Sequence, residues 1–491
     1  MDMIFKANGF VHTDQAAHFV SETSFQLDKE PSSLVFEFFG SGKELFFHVE
    51  DPSGLLRVQH QSSHEPSNVM LHENKAKSGI GTFPGKIHKG EWKIKVFTYG
   101  PRMNRMIGKV LFEVKVFEGN ETSERLAENG ISWLQSDEMD KGRIVFKDFE
   151  SESNSALAEK WLSGDFHVHS ILTDGSATAL ELLEEGRSKQ LDFFFISEHN
   201  ILTTGFPEKS GITVFPSYEV TTAIGHFNAH GLVHVPEGLL SQGPIPPWRV
   251  LEKLIRNFNV KGVLISINHP FMEPWQWQYN DLSLSQIDAL EIITDPYDKN
   301  IGDANEKAVA LLDVLWNSGS HITGIGGSDT HTKYSDSQLG QPLTRIYAKP
   351  GSLFSMLEAI RKHRAQIFVD CECNFNYLSE GKVLLPGTDM GSHEDLPLAF
   401  SLTLDKASDP VVLGVIENGI LVEEKEALPG KTCVIERVWK ADSDWIRCGL
   451  RDRYQRLRGY INPLHRGRKK RRTIETWGDA LSFLKPHIWL H

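Results

Sequence analysis

Short apolar runs in the middle of the sequence end in histidines or carboxylates, and this recurrence constrains the fold more than any other feature. His167-Val-His169 follows one such run, and Asp329-Thr-His331 follows another. Successive side chains on a strand point to opposite faces, so the outer members of each triplet share one face. Adjacent imidazole and carboxylate groups are the donors that a divalent metal needs. The pattern therefore predicts metal ligands gathered from several strands.

Histidines and carboxylates also follow apolar runs in the sequence between these two motifs. A lone histidine is usually structural, but polar groups repeated at successive strand ends within one region are not expected by chance. His230 lies four residues beyond His226 and would share its strand face, so it either packs in the core or contacts the metal or substrate. The further candidates are Asp174, Glu198-His199-Asn200, Glu219, His226 and Asn268-His269.

Residues 161–375 alternate predicted strands with predicted helices. Helices are expected at 178–190, 247–258, 304–318 and 352–363. Strands are expected at 191–197, 261–268, 288–293, 321–327 and 366–370. Repeated strand–helix units predict a mostly parallel sheet, either open or closed into a barrel. Active sites in such α/β folds lie at the C-terminal ends of the strands, which is where the polar groups fall.

The flanking regions have the period-two alternation of β-strands. Residues 1–120 are predicted to form a β-sandwich, because short alternating runs are separated by turns. Residues 121–160 are charged and Ser-rich, which is typical of a linker. Residues 376–491 are predicted to form a small β domain with a C-terminal tail, and Asn418-Gly419 indicates a hairpin within it.

Charge and cysteine content narrow the function classes. The 491-residue chain has 52 Lys and Arg against 65 Asp and Glu, a formal net charge of −13, which argues against a long nucleic-acid footprint. The four cysteines form no C-x-x-C pair, so neither a disulfide framework nor a zinc knuckle is expected. The first residues do not resemble a secretory signal, and no stretch of about 18 apolar residues occurs. A cytoplasmic protein that acts on a small molecule, away from membranes, is expected.

Taken in order, these motifs resemble those of the PHP (polymerase and histidinol phosphatase) superfamily. The Gly-Asp-x-His-x-His…Asp-Gly motif around His167, together with the flanking β regions, resembles the CehA/McbA-type metallohydrolase branch of that superfamily. One position departs from the family pattern, because Glu198 stands where Asp is usual. The longer side chain either orients a ligand from behind or contacts the metal with altered geometry.

The resemblance implies an α/β fold with a distorted (β/α)7 barrel that binds two or three divalent ions of Zn, Mn or Fe. His167 and His169 would hold the first metal with Glu219 as a bridge and with Asp329. Asp174 and His199 would hold a neighbouring metal, and His226, His269 and His331 would complete the cluster. The expected catalytic groups are Asp329, His331 and Glu219.

Three functions are compatible with this ligand set. The first is a phosphoesterase that uses a metal-bound hydroxide on a small phosphate ester, since paired metals stabilise both attacking and leaving oxygens. The alternative is a hydrolase of carboxylic or carbamate esters that uses the same hydroxide on a carbonyl. The third is a non-catalytic metal-binding scaffold. A basic clamp for phosphate would separate the first two, and the candidates are Arg187, Lys333 and Arg345.

Overall fold

A computed structural model gives the fold of the chain. Strands far outnumber helices in the described residues, so the protein is a mixed α/β structure rich in sheet. None of the described helices is long and apolar enough to cross a bilayer. The described residues are 2–12, 20–41, 45–62, 67–98, 109–119, 131–134, 144–150, 157–207, 211–222, 224–236, 239, 251–298, 301–331, 338–391, 393–406, 409–467 and 474–484.

The N-terminal region contains two four-stranded antiparallel sheets. Its strands are β1 (Asp2–His12), β2 (Val20–Leu27), β3 (Ser33–Gly40), β4 (Leu45–Glu50), β5 (Leu56–Gln61), β6 (Ser67–His72), β7 (Gly90–Thr98) and β8 (Lys109–Glu118). The sheet orders are β1-β8-β3-β6 and β2-β7-β4-β5. Phe36, Trp92 and Val114 are fully buried in a core that both sheets share. The period-two pattern gives each strand one apolar face, and two such faces pack as the predicted sandwich.

The predicted linker lies largely outside the described residues. Its described parts are β9 (Ile131–Ser132), β10 (Ile144–Val145) and the short helix α1 (Lys147–Glu150). β9 pairs with β13 (Gly205–Phe206), and β10 pairs with β17 (His234–Val235). Each piece is thereby attached to the central region.

The predicted helices and strands of the central region are confirmed within a few residues at their ends. The first helix begins with a capping box between Thr178 and Glu181, and residues 247–250 of the second lie outside the described residues. The helices are α2 (Ala179–Ser188), α3 (Leu251–Val260), α4 (Ala304–Ser318) and α5 (Leu353–Arg361). The strands are β12 (Phe193–Ile196), β18 (Leu264–Ile267), β19 (Ala289–Thr294), β20 (Thr323–Gly327) and β22 (Ala365–Phe368).

The expected alternation of strand and helix is wrong between β12 and α3. In the described residues this segment contains no helix, and besides β13 and β17 it holds β14 (Thr213–Pro216), β15 (Glu219–Thr222) and β16 (Gly225–His230). β15 and β16 form an antiparallel hairpin, and β16 also runs antiparallel to β18. A hairpin needs only a short turn, whereas a parallel crossover needs a dozen or more residues.

Two sheets carry the central strands. The remaining strands needed to describe them are β11 (Lys160–Val168), β21 (Leu343–Ala348), β26 (Val411–Glu417), β27 (Ile420–Ala427), β29 (Trp445–Asp452) and β30 (Leu457–His465). One sheet has the order β14-β12-β11-β21-β22-β30-β29-β26-β27, and the other has the order β15-β16-β18-β19-β20. Backbone hydrogen bonds that join them include Asp329 N to His167 O at 3.0 Å, Gly231 N to Pro216 O at 2.9 Å and Glu219 N to Glu198 O at 3.2 Å.

The C-terminal region adds a further antiparallel sheet. Its strands are β23 (Glu372–Ser379), β24 (Lys382–Leu384), β25 (Leu396–Lys406) and β28 (Thr432–Trp439), in the order β24-β23-β25-β28. It shares an apolar core with β26, β29 and β30. The predicted hairpin at Asn418-Gly419 joins β26 to β27. The last described helix, α6 (Trp477–Ser482), buries Trp477 in the core of the central region.

A buried ion pair links the central and C-terminal regions. Arg447 of β29 donates from Nε and Nη2 to the two carboxylate oxygens of Asp313 on α4, at 2.8 and 2.6 Å. Burial raises the pKa of the Asp313 carboxyl, and the guanidinium opposes that shift. The guanidinium also lies 4.7 Å from the ring centroid of Tyr460. Each charge therefore depends on the other for its burial.

Arg447→Met should lower the free energy of unfolding by about 3–5 kcal/mol, because it leaves the Asp313 carboxylate buried without its partner. Arg451→Met is the matched control, since Arg451 also joins β29 to α4 but pairs with the partly exposed Glu306. Arg451→Met should lower the free energy of unfolding by about 1 kcal/mol or less. Chemical denaturation measures both values, and equal losses would contradict the structural role given to Arg447.

Candidate metal centre

His167 and His169 mark the C-terminal end of β11. Both side chains are buried, and their ring centroids lie 5.0 Å apart. β20 runs beside them, and a Cβ added at Gly327 would lie 2.5 Å from His167 Cβ. Only glycine therefore allows the two strands to approach this closely. The approach brings Asp329, two residues beyond, to the same place.

Two carboxylates face these two imidazoles. Asp329 Oδ1 lies 3.3 Å from His167 Nε2 and 3.2 Å from His169 Nε2. Glu219, the first residue of β15, places Oε1 3.4 Å from His167 Nε2 and Oε2 3.5 Å from His169 Nε2. The four side chains thus direct nitrogen and oxygen atoms at one another in a buried space.

A second set of contacts surrounds Asp174. Its Oδ1 lies 3.4 Å from His199 Nε2 and 3.3 Å from His331 Nε2. The Nε2 atoms of those two histidines are 3.4 Å apart. Asp174, from the loop after β11, therefore meets residues that follow β12 and β20.

A third set surrounds Glu219. His199 Nδ1 lies 2.6 Å from its Oε2, and His226 Nδ1 lies 3.1 Å from its Oε1. His269, which follows β18, places Nε2 3.8 Å from Glu219 Oε1 and 3.9 Å from Asp329 Oδ2. The carboxylate of Glu219 is thus shared among side chains from several strand ends.

The structure brings all the predicted ligands into one continuous cluster. Within each of four overlapping groups the ligand atoms lie within 4.8 Å of one another. Because several side chains belong to more than one group, the groups form a single site. They are His169, Asp174, His199 and His331; His167, His169 and Glu219; His167, His269 and Asp329; and His199, Glu219 and His226.

Buried nitrogen atoms in this cluster test whether a metal fits. Nε2 of His167, His169 and His226 is buried and has no hydrogen-bond partner among the described residues. A buried polar atom without a hydrogen bond lowers the stability of the fold by about 1–3 kcal/mol, and most buried polar atoms in proteins are therefore paired. Coordination to a cation would satisfy these nitrogens, and the mixture of imidazole and carboxylate suits Zn, Mn or Fe. The residues therefore fit divalent metal ions.

Two of the inner groups, His169 and Glu219, have protonation states that suit metal binding. Burial lowers the pKa of His169 to about 3, and the nearby His199 and His331 act in the same direction. Burial alone would raise the pKa of the Glu219 carboxyl, but His199 and His167 hold it well below its ordinary value. A neutral imidazole and an ionised carboxylate are the forms that bind metals.

Two other members, the buried His167 and His331 at the outer edge of the cluster, have the opposite shift. Burial opposes protonation of His167, but Asp329, Glu291 and Glu219 raise its pKa well above the ordinary value. Burial opposes protonation of His331, but Asp174 and Asp329 raise its pKa to about 10. A ligand must lose its proton before its nitrogen can coordinate a metal. Metal binding at this edge would therefore release a proton from His331.

Backbone strain accompanies two of the ligand positions. Asp329 has φ of +51° and His269 has φ of +26°, both in the left-handed region. Such conformations cost of the order of 1–3 kcal/mol in a non-glycine residue and cluster at functional sites. The strain turns each side chain from the end of its strand towards the cluster.

Glu291 is a site residue that the sequence reasoning missed. It lies on β19, is 2% exposed, and its Oε2 is 2.9 Å from His167 Nδ1. A carboxylate at this nitrogen fixes the ring and leaves Nε2 directed at the site. Asn268 acts similarly, because its Nδ2 donates to Glu219 Oε1 at 2.9 Å. The available signal was a single carboxylate within the apolar strand Ala289–Thr294.

Glu198 lies behind the ligands and is not a member of the metal-binding groups. It is fully buried and accepts hydrogen bonds from Ser170 N at 3.1 Å and from the hydroxyls of Ser170 and Thr173. Burial raises the pKa of its carboxyl to about 7, and these hydrogen bonds oppose the shift. Glu198 therefore holds the loop that carries Asp174, which favours the orienting role over direct contact with metal.

His230 is a core residue. Its ring is fully buried, its Nδ1 lies 3.0 Å from Ser217 Oγ, and its centroid lies 4.8 Å from that of Phe195. It belongs to none of the four metal-binding groups formed by the described residues. Of the two interpretations of His230, the structure supports the packing one.

The proposed phosphate clamp does not join the cluster at the two positions that are described. Arg345 donates from Nη1 to Cys373 O at 2.8 Å and lies 5.6 Å from the ring centroid of Trp161. Arg187 is exposed on α2. Lys333 lies outside the described residues.

No protein-family model matches the chain, and no curated protein matches it. Among solved structures, it is similar to a two-domain protein from Bacteroides vulgatus ATCC 8482, described as containing a predicted PHP-like metal-dependent phosphoesterase. The identity is 15%, the TM-score is 0.36, and the match covers 62% of this chain and 96% of that one. It is also similar to a candidate metal-dependent phosphoesterase from Bifidobacterium adolescentis ATCC 15703, with 14% identity, a TM-score of 0.27, and coverage of 40% and 95%. At these scores and identities the likeness establishes neither fold nor function for this chain.

Glu291→Gln should weaken metal binding by about 10–100-fold, because the amide no longer holds His167 as a carboxylate does. Titration of the metal-free protein with Zn²⁺ or Mn²⁺ measures the change. The control is Asp288→Asn, since Asp288 directly precedes β19 and accepts a hydrogen bond from Ile265 N. An unchanged affinity in Glu291→Gln would contradict the role given to this carboxylate.

Proposed function

We propose that this protein is a metal-dependent hydrolase of the PHP type that acts on a small phosphate ester. The observation that carries the proposal is the convergence of histidine and carboxylate side chains in one buried cluster. The motif resemblance to the PHP superfamily and its CehA/McbA-type branch supports the same conclusion. A non-catalytic metal-binding scaffold is less favoured, because three of the candidate ligands, Asp174, Asp329 and His331, are partly exposed and so open to a substrate.

The strand connections support a distorted seven-stranded barrel as the framework of the site. β11, β12 and β14 are parallel neighbours, and so are β18, β19 and β20. β16 bonds to β18 on one side, and Gly231 N, just beyond it, bonds to Pro216 O of β14. Val168 and Thr330 form a parallel bridge that joins β11 to the chain beyond β20. The ring would contain one reversed strand, β16, among parallel ones.

The cluster offers ligands for two or three divalent ions. His167, His169, Glu219 and Asp329 would hold one ion. Asp174, His199 and His331 would hold a neighbouring ion, and His226 and His269 flank the shared Glu219. When bound, such ions lower the pKa of a coordinated water towards ~7 and polarise a phosphoryl or carbonyl oxygen.

The side chains themselves define the direction of approach. His167, His169 and Glu219 have fully buried side chains, whereas those of Asp329, Asp174 and His331 are 13%, 24% and 28% exposed. Substrate would therefore reach the cluster from the exposed side. A carboxylate oxygen of Asp329 can accept a hydrogen bond from the attacking water and orient it.

The charge of the substrate separates the two candidate reactions. A phosphoryl group presents several negatively charged oxygens to clustered cations, whereas an ester carbonyl presents one. The net charge of −13 disfavours long polyanions, so a small phosphate ester is the proposed substrate. The alternative, hydrolysis of a carboxylic or carbamate ester, is favoured by one observation: Arg345 is engaged with Cys373 O and the Trp161 ring, and Arg187 is exposed on α2, so neither is placed as a phosphate clamp.

His169→Ala and Asp329→Ala should each reduce turnover by orders of magnitude, because generation of the nucleophile and stabilisation of charge both depend on the cluster. Elemental analysis should find at least two divalent ions in the wild-type chain and fewer in the variants, while circular dichroism should stay unchanged. His230→Gln is the control, since His230 lies on the strand of His226 but outside the groups. Near-wild-type activity in either ligand variant with metal still bound would contradict the site.

A phosphomonoester or diester should be hydrolysed with a higher kcat/KM than an aryl acetate. The metal-loaded enzyme would be assayed side by side on aryl phosphates, phosphodiesters and aryl esters. If the ester is preferred by more than about tenfold, a transition-state preference of about 1.4 kcal/mol, the alternative function replaces the phosphoesterase.

A further inference from the structure

The N-terminal sandwich contacts the loop that follows His199. Gln59 of β5 donates from Nε2 to Leu202 O at 3.3 Å, and Leu202 N donates to Gln59 Oε1 at 3.2 Å. A third hydrogen bond joins Thr204 N to Ile80 O at 2.9 Å. One buried amide side chain thus pairs with both backbone groups of a residue three positions beyond a candidate ligand.

The sandwich also contacts the loop that leads to Asp174. Gln61 N donates to Leu172 O at 3.4 Å. Leu172 packs in a small apolar cluster with Phe46 and Phe97 of the sandwich and Ile201 of the other loop. Both loops are therefore held against the same sheet.

The approach of the two regions is close enough to require glycine. A Cβ added at Gly81 would lie 2.5 Å from Leu172 Cδ1 and 2.7 Å from Gln59 O. Any other residue here would displace the Leu172 side chain or the backbone of Gln59. The contact is therefore specific in shape as well as in hydrogen bonding.

These loops carry two members of one metal-binding group. Asp174 and His199 belong to the group completed by His169 and His331. His169 and His331 follow β11 and β20, so their positions are set by the central strands. Asp174 and His199 lie on the two loops that the sandwich contacts. Metal–ligand distances vary by only about 0.2 Å, so a small shift of either loop would weaken metal binding.

We infer that the sandwich fixes the geometry of this metal-binding group, and that Gln59 is its positioning residue. The inference rests on the proposed function, because it assumes that the group binds a metal. Gln59 is fully buried, and both polar atoms of its side chain are used on Leu202. It touches none of the candidate ligands directly, so it acts through the backbone of the loop.

The test is Gln59→Leu in the full chain, titrated with Zn²⁺ or Mn²⁺ alone. Leucine keeps most of the volume and removes both hydrogen bonds. The affinity for one of the bound metal ions should fall by about 10–100-fold, which is the usual effect of removing a residue that orients a metal ligand. At limiting metal the variant should retain one ion fewer than wild type, and excess metal should restore it. The remaining ions should bind as in wild type.

Two variants separate positioning from general stability. Val58→Ala is the matched control, because Val58 is the adjacent residue of β5 and is fully buried in the sandwich core. It should lower the unfolding temperature and leave metal affinity unchanged. In Gln59→Asn the side chain is too short to keep both hydrogen bonds, so this variant should lose metal affinity to an intermediate degree. It provides the test if Gln59→Leu fails to fold.

The outcomes distinguish this inference from the proposed function. Wild-type affinity and stoichiometry in the folded Gln59 variants would overturn the positioning role and leave the proposed function intact. A wild-type chain that binds no divalent metal would overturn both. An equal loss of metal in Val58→Ala would show that sandwich stability, and not Gln59, controls the group.

Discussion

The shared carboxylate of Glu219 is the constraint on which the site depends. It is fully buried and lies within 4 Å of imidazole nitrogens from β11, β16 and the segments after β12 and β18. An isolated buried carboxylate is very costly, so its ionised form requires these neighbours. Removing any one strand end would leave charged or polar groups without compensation. The site and the closure of the central strands are therefore mutually dependent.

This dependence explains the unusual features around the cluster. Left-handed backbone at Asp329 and His269 costs free energy that an ordinary strand end avoids. Glu291 and Asn268 orient individual ligands, and Glu198 holds the loop of Asp174. Apolar packing of the central strands and helices offsets these costs. The cluster is thus supported by residues outside the set of candidate ligands.

Much of the site was predictable because its residues obey local rules. The outer residues of His167-Val-His169 and Asp329-Thr-His331 were predictable as candidate ligands, because a strand places alternate residues on one face. The ligands at or just beyond the ends of β11, β12, β18 and β20 meet because the C-terminal ends of parallel strands lie at one edge. Glu219 and His226 instead come from the starts of the antiparallel strands β15 and β16. The helices were predictable from their apolar periodicity, as in α4. By contrast, the reversed direction of β16 was missed, because the sequence of a short strand carries no sign of its direction.

The sequence by itself determined which residue types were available for a metal centre and where strands would end, since both follow from local composition and periodicity. Only the tertiary structure decided that Glu291 faces His167, that Arg345 lies against Trp161 away from the cluster, and that Gln59 holds the backbone of Leu202. These contacts join residues far apart along the chain. Their formation depends on how whole sheets pack, and no local pattern around a single residue records that arrangement.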